Sequence, residues 1–147
     1  MSTDSTAGLL RYHHTGCAVK DMQETLAAFR PFFPRISKSI LISTQQVRVC
    51  FVELSPGSYV ELVAAAGEQP AIAVMLKRGI SFYHLGFLTD HFDLALHTLT
   101  QQSYRHLETF QSEAFAGKRC AFLMSDTMQL IEVIESGHDV MEAEQVT

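Results

Sequence analysis

The chain has 147 residues, 47% of them hydrophobic and 18% charged, with a net charge of −5 at neutral pH. That length and apolar fraction suit one domain, or two small modules on a shared core, and exclude a disordered chain. The negative balance gives no footprint for a nucleic-acid backbone, and no apolar run approaches the ~20 residues of a membrane-spanning helix.

The opening "MSTDSTAG" is polar and acidic, unlike a signal or transit peptide, so residues 1–10 are expected to form a flexible lead on a cytoplasmic protein. "RYHHTGCAV" (11–19) is predicted as a strand whose alternation puts Tyr12, His14, Gly16 and Ala18 on one face. A helix follows in "DMQETLAAFRPFF", with Asp21 as N-cap, Glu24 three residues on, and Pro31 ending the pattern. Three strands come next, "SKSILIS", "QVRVCFVEL" and "SYVELVAA", the last two joined by the turn "SPGS". Residues 66–80 carry Gly, Pro and a short helical pattern and act as a connector. The order then returns: strand "SFYHLGFLT", helix "DHFDLALHTLTQQ" with Phe92, Leu96 and Leu99 on one side, strand "YRHLETF", turn "EAFAG", and strands "KRCAFLMS" and "MQLIEVIE". Residues 137–147 form a polar tail that is expected to fray. The odd set Cys17, Cys50 and Cys120, each in an apolar run without CxxC spacing, is expected to be core thiols.

Arithmetic exposes a duplication. His14 and His84 lie 70 apart, Phe51 and Phe122 lie 71 apart, and so do Glu61 and Glu132. The expected fold is therefore α+β: two βαβββ modules in tandem, residues 11–65 and 81–136, forming a paired, curved mixed sheet around a central cavity. Each copy opens with a histidine and closes with a glutamate flanked by apolar residues, Val60 and Leu62 in one, Ile131 and Val133 in the other. A carboxylate in an apolar strand is costly unless paired, protonated or bound to a metal. His14, Glu61, His84 and Glu132, brought together by a pseudo-twofold, make a two-nitrogen, two-oxygen set suited to Zn, Ni, Co, Mn or Fe. His13 is the rival of His14; Gly16 and Gly86, each two residues after its histidine, select His14 by phase.

The motifs "HTGCAVKD", "YVELV", "YHLGF" and "LIEVIE" resemble those of the vicinal oxygen chelate superfamily, which includes glyoxalase I, methylmalonyl-CoA epimerase, extradiol dioxygenases and the fosfomycin and bleomycin resistance proteins. From about Arg11 to Glu135 the order and spacing are most similar to the epimerase branch, connector included. The resemblance implies metal ligands at His14, Glu61, His84 and Glu132 and assembly as a homodimer. It also implies an acidic residue before the third strand; Thr44 or Gln45 stands there instead, and the loop "MSDTMQ" before the last strand is shorter and lacks the family's glycine pair.

Four protein ligands leave two open positions on a six-coordinate metal, where a small-molecule substrate with a carbonyl, an acyl thioester or 2-oxo compound, can chelate. The expected chemistry is proton abstraction next to that carbonyl through a metal-stabilised enolate, with Glu132 as base and Glu61 as the symmetry-related second base. Alternatives are a glyoxalase I-like lyase, a ring-cleaving dioxygenase, which the fourth ligand Glu61 disfavours, and a non-catalytic antibiotic-binding protein, which has no need of four ligands. Lys77, Arg78, Lys118 and Arg119 are candidates for phosphate or carboxylate contacts, or solvated charges. Phe29, Phe32, Phe33 and Phe115 are expected in the core, and Tyr12, Phe82 and Tyr83 in the cavity wall.

Overall fold

The computed structural model describes residues 6–142. Strands β1 (Arg11–Val19), β2 (Ile40–Ile42), β3 (Val47–Ser55), β4 (Ser58–Ala65), β5 (Phe82–Thr89), β6 (Arg105–Ser112), β7 (Lys118–Met124) and β8 (Leu130–Glu135) form one mixed sheet. Helices α1 (Met22–Phe29), α2 (Ala73–Arg78) and α3 (Phe92–Gln101) complete the fold. The strand order is β2-β3-β4-β1-β5-β8-β7-β6, so each βαβββ module is a four-stranded half and the halves join through antiparallel β1 and β5. Within each half the first and last strands run parallel, β1 with β4 and β5 with β8.

The strands alternate between two interiors. Their outward residues, Cys17, Val19, Cys50, Val52, Val60 and Leu62, pack with Leu26 of α1 in the first half. Ala121, Leu123, Ile131 and Val133 pack with Phe92, Ala95 and Leu99 of α3 in the second. The inward residues, among them Val49, Phe51, Tyr59, Val63, Cys120 and Ile134, make a third cluster inside the curl with Phe115 from the turn between β6 and β7. The curl brings the ends of the two edge strands together: after β2, the Ser43 backbone N–H and hydroxyl both donate to Glu113 Oε2, at 3.1 and 2.7 Å, just after β6. Asp21 caps α1 as expected, its carboxylate accepting from the Glu24 N–H at 3.0 Å.

Several expectations need correction. "SKSILIS" yields only the three-residue β2, because the Ser37 hydroxyl takes the Phe51 N–H at 2.8 Å and replaces a ladder bond. Phe32 follows Pro31 beyond α1 and is 77% exposed rather than core. Of the predicted lead, residues 1–5 lie outside the described residues, while Leu9 and Leu10 pack half-buried against the α3 cluster. The predicted tail does not fray throughout: Val140 and Met141 are buried in the central cluster, and 143–147 lie outside the described residues. The polar "SGHD" before them masks two anchoring side chains. All three cysteines are buried in the core, as expected.

If that docking matters, Met141→Ala lowers stability by about 2–5 kcal/mol in urea unfolding, the range for emptying a buried methionine site. A shift below about 0.5 kcal/mol, the scale of surface substitutions, would show the segment to be loosely held.

Candidate metal centre

The site grows out of two adjacent rows across the sheet. In one row Phe51, Glu61, Gly16 and His84 are successive cross-strand neighbours on β3, β4, β1 and β5. In the other His14, Gly86, Glu132 and Phe122 stand on β1, β5, β8 and β7. Each glycine separates a histidine from a glutamate. A Cβ on Gly16 would lie 2.0 Å from His84 Cε1, and one on Gly86 would lie 2.1 Å from His14 Cε1. Each imidazole therefore lies flat over the glycine of the opposite strand and meets the carboxylates beyond it. This is the physical content of the repeated His-x-Gly.

The predicted quartet converges. His14, Glu61, His84 and Glu132 are all buried, and one ligand atom from each lies within 4.8 Å of all the others. His14 Nε2 is 3.3 Å from Glu61 Oε1, 3.2 Å from Glu132 Oε1 and 3.0 Å from His84 Nε2. His84 Nε2 is 3.4 Å from Glu61 Oε1 and 3.3 Å from Glu132 Oε1. A cation bonded to nitrogen and oxygen at about 2.1 Å spaces neighbouring ligand atoms by about 3.0 Å in an octahedron and about 3.4 Å in a tetrahedron. All five separations fall in that interval. Glu132 Oε1 is buried with no hydrogen bond among the described residues, which leaves its lone pairs free for a cation. Two neutral imidazoles and two carboxylates suit a borderline divalent ion, so the donor set, its spacing and this orphaned oxygen all fit a metal.

Protein charges alone would balance differently. Burial opposes a proton on His14, but Glu61 and Glu132 outweigh it and lift its pKa from 6.5 to about 9. Burial likewise opposes the charge on His84, and the close Glu132 and Glu61 carboxylates raise its pKa. Burial pushes Glu61 and Glu132 upward, yet the two histidines hold both below the usual carboxylate range. Protons and a cation compete for one set of donor atoms.

A pocket of about 150 Å³ opens on this cluster. Glu61, His84 and Glu132 lie in its wall, with Val47, Val49, Val63, Phe110, Phe122 and Leu130 around them. Met75 and Ile72, at α2, close one side. Of the aromatics expected in the wall, only Tyr83 is there. Tyr12 is half-exposed and bonds Thr15 Oγ1 through its hydroxyl at 2.7 Å, because a bulge between Tyr12 and His14 turns it away; Phe82 is 62% exposed. Lys77, Arg78, Lys118 and Arg119 line no part of it. Arg119 is instead bound by Asp93 and Glu135 and lies 4.5 Å over the Phe92 ring.

Three residues have parts that the sequence argument did not assign. Gln45 lines the pocket and donates from Nε2 to Glu108 Oε2 at 3.2 Å, bridging the two sheet edges. Only the closing of the curl makes that pair, so neither segment announces it. His13, treated above as the rival of His14, is also buried, and its Nδ1 lies 2.8 Å from His14 Nδ1.

Two outcomes follow from this geometry. Gly86→Ala must displace the His14 ring; we expect a loss of about 1–3 kcal/mol in urea unfolding and of zinc affinity in a competition titration. Wild-type values in both would mean that the ring has room elsewhere. The second outcome concerns pH. A histidine whose pKa rises on folding adds stability below its unfolded value that disappears as pH climbs through the folded one. Chelator-treated protein should therefore lose melting temperature between pH 6.5 and about 9 as His14 discharges, and added zinc should reverse the loss. A flat profile in chelator would show that these histidines carry no proton there.

Comparison with known proteins agrees with the geometry. The profile of the Glyoxalase/Bleomycin resistance protein/Dioxygenase superfamily matches residues 13–122. A search of curated protein sequences gives no match. Methylmalonyl-CoA epimerase from Mycobacterium tuberculosis superposes with a TM-score of 0.78 at 21% identity, over 89% of this chain and 91% of that one. A variant of the Streptomyces coelicolor methylmalonyl-CoA epimerase, in complex with 2-nitronate-propionyl-CoA, gives 0.75 at 23% identity over 88% and 99%. A hypothetical protein from Bacillus halodurans C-125 gives 0.72 at 20% identity over 88% and 96%. At these identities the structural likeness is one of fold, and the family rests on the profile. With the duplicated sheet, the crossed histidines and that match together, the chain belongs to the glyoxalase/bleomycin resistance protein/dioxygenase superfamily.

Proposed function

We propose that this chain is a metal-dependent isomerase or lyase that removes a proton next to the carbonyl of an acyl thioester, in the manner of a methylmalonyl-CoA epimerase. The observation that carries the reading is the buried His14, Glu61, His84 and Glu132 cluster, three of whose members, Glu61, His84 and Glu132, line a pocket. The four side chains would hold one divalent cation. Bound there, it supplies Lewis acidity that stabilises the negative charge developing on an enolised carbonyl oxygen.

The protein's own groups do the rest. Glu132 lies in the pocket wall and takes the proton from the carbon next to the carbonyl. Glu61, its pseudo-symmetric counterpart in the same wall, handles a proton on the opposite side of that carbon, as inversion requires. Position 44 or 45 supplies no carboxylate for this, since Gln45 stands in the wall as an amide. The aliphatic and aromatic lining keeps water from the reacting carbon and strengthens each electrostatic contact. At about 150 Å³ the pocket takes a short acyl group, well below the ~300–1,000 Å³ that encloses a drug-sized ligand. A thioester's carrier then extends out of the mouth. The cytoplasm as compartment and a homodimer as assembly belong to this proposal; among the described residues, no helix is long and apolar enough to cross a membrane.

The test combines metal analysis with solvent exchange. We expect about one equivalent of divalent metal per purified chain, and deuterium uptake from D₂O at the 2-carbon of methylmalonyl-CoA or a related 2-substituted acyl thioester. Glu132→Gln should lower that exchange by about 10²–10⁴-fold while the fold persists. Turnover of hemithioacetals without thioester exchange would favour the glyoxalase I-like lyase. Metal-free protein with no exchange would overturn the enzyme reading and leave the ligand-sequestering one.

A further inference from the structure

We propose that His13 is a positioning residue for the cation site: its ring holds the His14 imidazole through a hydrogen bond at Nδ1 and so aims His14 Nε2 at the two carboxylates. This rests on the metal-centre reading above and adds a residue to it.

Neighbouring residues of a strand normally face opposite sides of the sheet. His13 and His14 do not, because β1 carries a bulge there: Tyr12 pairs with Phe87 and His14 with Gly86, which makes His13 the extra residue. Both rings consequently enter the interior, and their Nδ1 atoms approach to 2.8 Å. One nitrogen must donate and the other accept. His14 turns Nε2 to Glu61 and Glu132, so as a ligand it carries its only proton on Nδ1, and that proton points at His13. His13 therefore accepts on Nδ1 and keeps its own hydrogen on Nε2.

The surroundings favour a neutral acceptor. His13 is 5% exposed and packed among the rings of Phe51, Tyr59 and Phe115.

The second module makes the comparison internal. The counterpart of His13, one residue before His84, is Tyr83. Its ring packs edge-on against His84 at 4.6 Å, yet His84 Nδ1 is buried with no hydrogen-bond partner among the described residues. One ligand imidazole is thus braced through its far nitrogen, and the far nitrogen of the other has no such brace among the described residues. An outer hydrogen bond to a ligating histidine fixes tautomer and ring orientation, and its loss typically weakens metal affinity about 10–100-fold.

Zinc competition against a chromophoric chelator tests this in three chains. His13→Phe keeps a ring in the aromatic cage and removes the acceptor; we expect zinc to bind about 10–100-fold more weakly than to the wild type. His13→Asn offers an amide oxygen near the lost nitrogen and should recover a large part of that loss. Imidazole nitrogen NMR on the zinc-loaded wild type supplies the arm that needs no variant to fold: the proton should sit on Nδ1 of His14 and on Nε2 of His13. Wild-type affinity in a folded His13→Phe, or a proton on His13 Nδ1, would overturn the proposal and leave the function untouched. A wild-type chain that takes up no divalent cation would overturn both.

Discussion

The antiparallel pairing of β1 with β5 is the constraint on which the rest of this structure depends. It sets His14 opposite Gly86 and Gly16 opposite His84, so that each ring occupies the volume the facing residue leaves open. With any side chain at either glycine, the imidazole would stand up from the sheet and lose the carboxylate one strand further on. Pairing β1 in parallel with β4, and β5 with β8, then puts Glu61 beside Gly16 and Glu132 beside Gly86. Four polar side chains in an apolar interior are tolerated because each has the other three. The register of a single strand pair decides whether that mutual compensation exists, and a slip by one residue would turn all of it to the wrong face.

Curvature supplies what pairing cannot. A flat eight-stranded sheet would leave the quartet on an open surface, where water screens every charge. Here the edge strands curl until Ser43 meets Glu113 and Gln45 meets Glu108 across the opening. α1 and α3 cover the outer face on either side, and the inner face keeps a core and a pocket together. The same bending that buries Phe51 and Phe115 beside His14 therefore puts the quartet in a low-dielectric setting.

What the sequence disclosed follows from which interactions are periodic. The 70-residue offset, the alternating apolar strands and the Asp21 cap are local or repeating features, and they located the modules and all four members of the quartet. Alternation failed where a bulge interrupts it: Tyr12 should share a face with His14 and does not, while His13 should not and does. It failed again where polarity hid burial, as with Val140 and Met141 behind a run of polar residues. Arg119, a candidate for anionic substrate groups, is satisfied by Asp93 and Glu135, which lie 26 residues upstream and 16 downstream. Gln45 and Glu108 are 63 apart on segments that no pattern links, and only the closing of the sheet makes them neighbours.

Duplication gives this fold two equivalent places for a pocket, and the chain has filled one of them. Phe122, Leu130, Gln45 and Tyr83 line the pocket. Their counterparts one repeat away are Phe51, Tyr59, Phe115 and His13, all buried and packed on one another beside His14. Val140 and Met141 add to the same filled side. A symmetric donor set would open toward both modules equally; this one has a closed face behind His14 and an open face before His84. The pocket therefore reaches the donor set at Glu61, His84 and Glu132 and not at His14. The duplicated backbone supplies the four donors, and the divergence between the copies decides which side of them the pocket opens on.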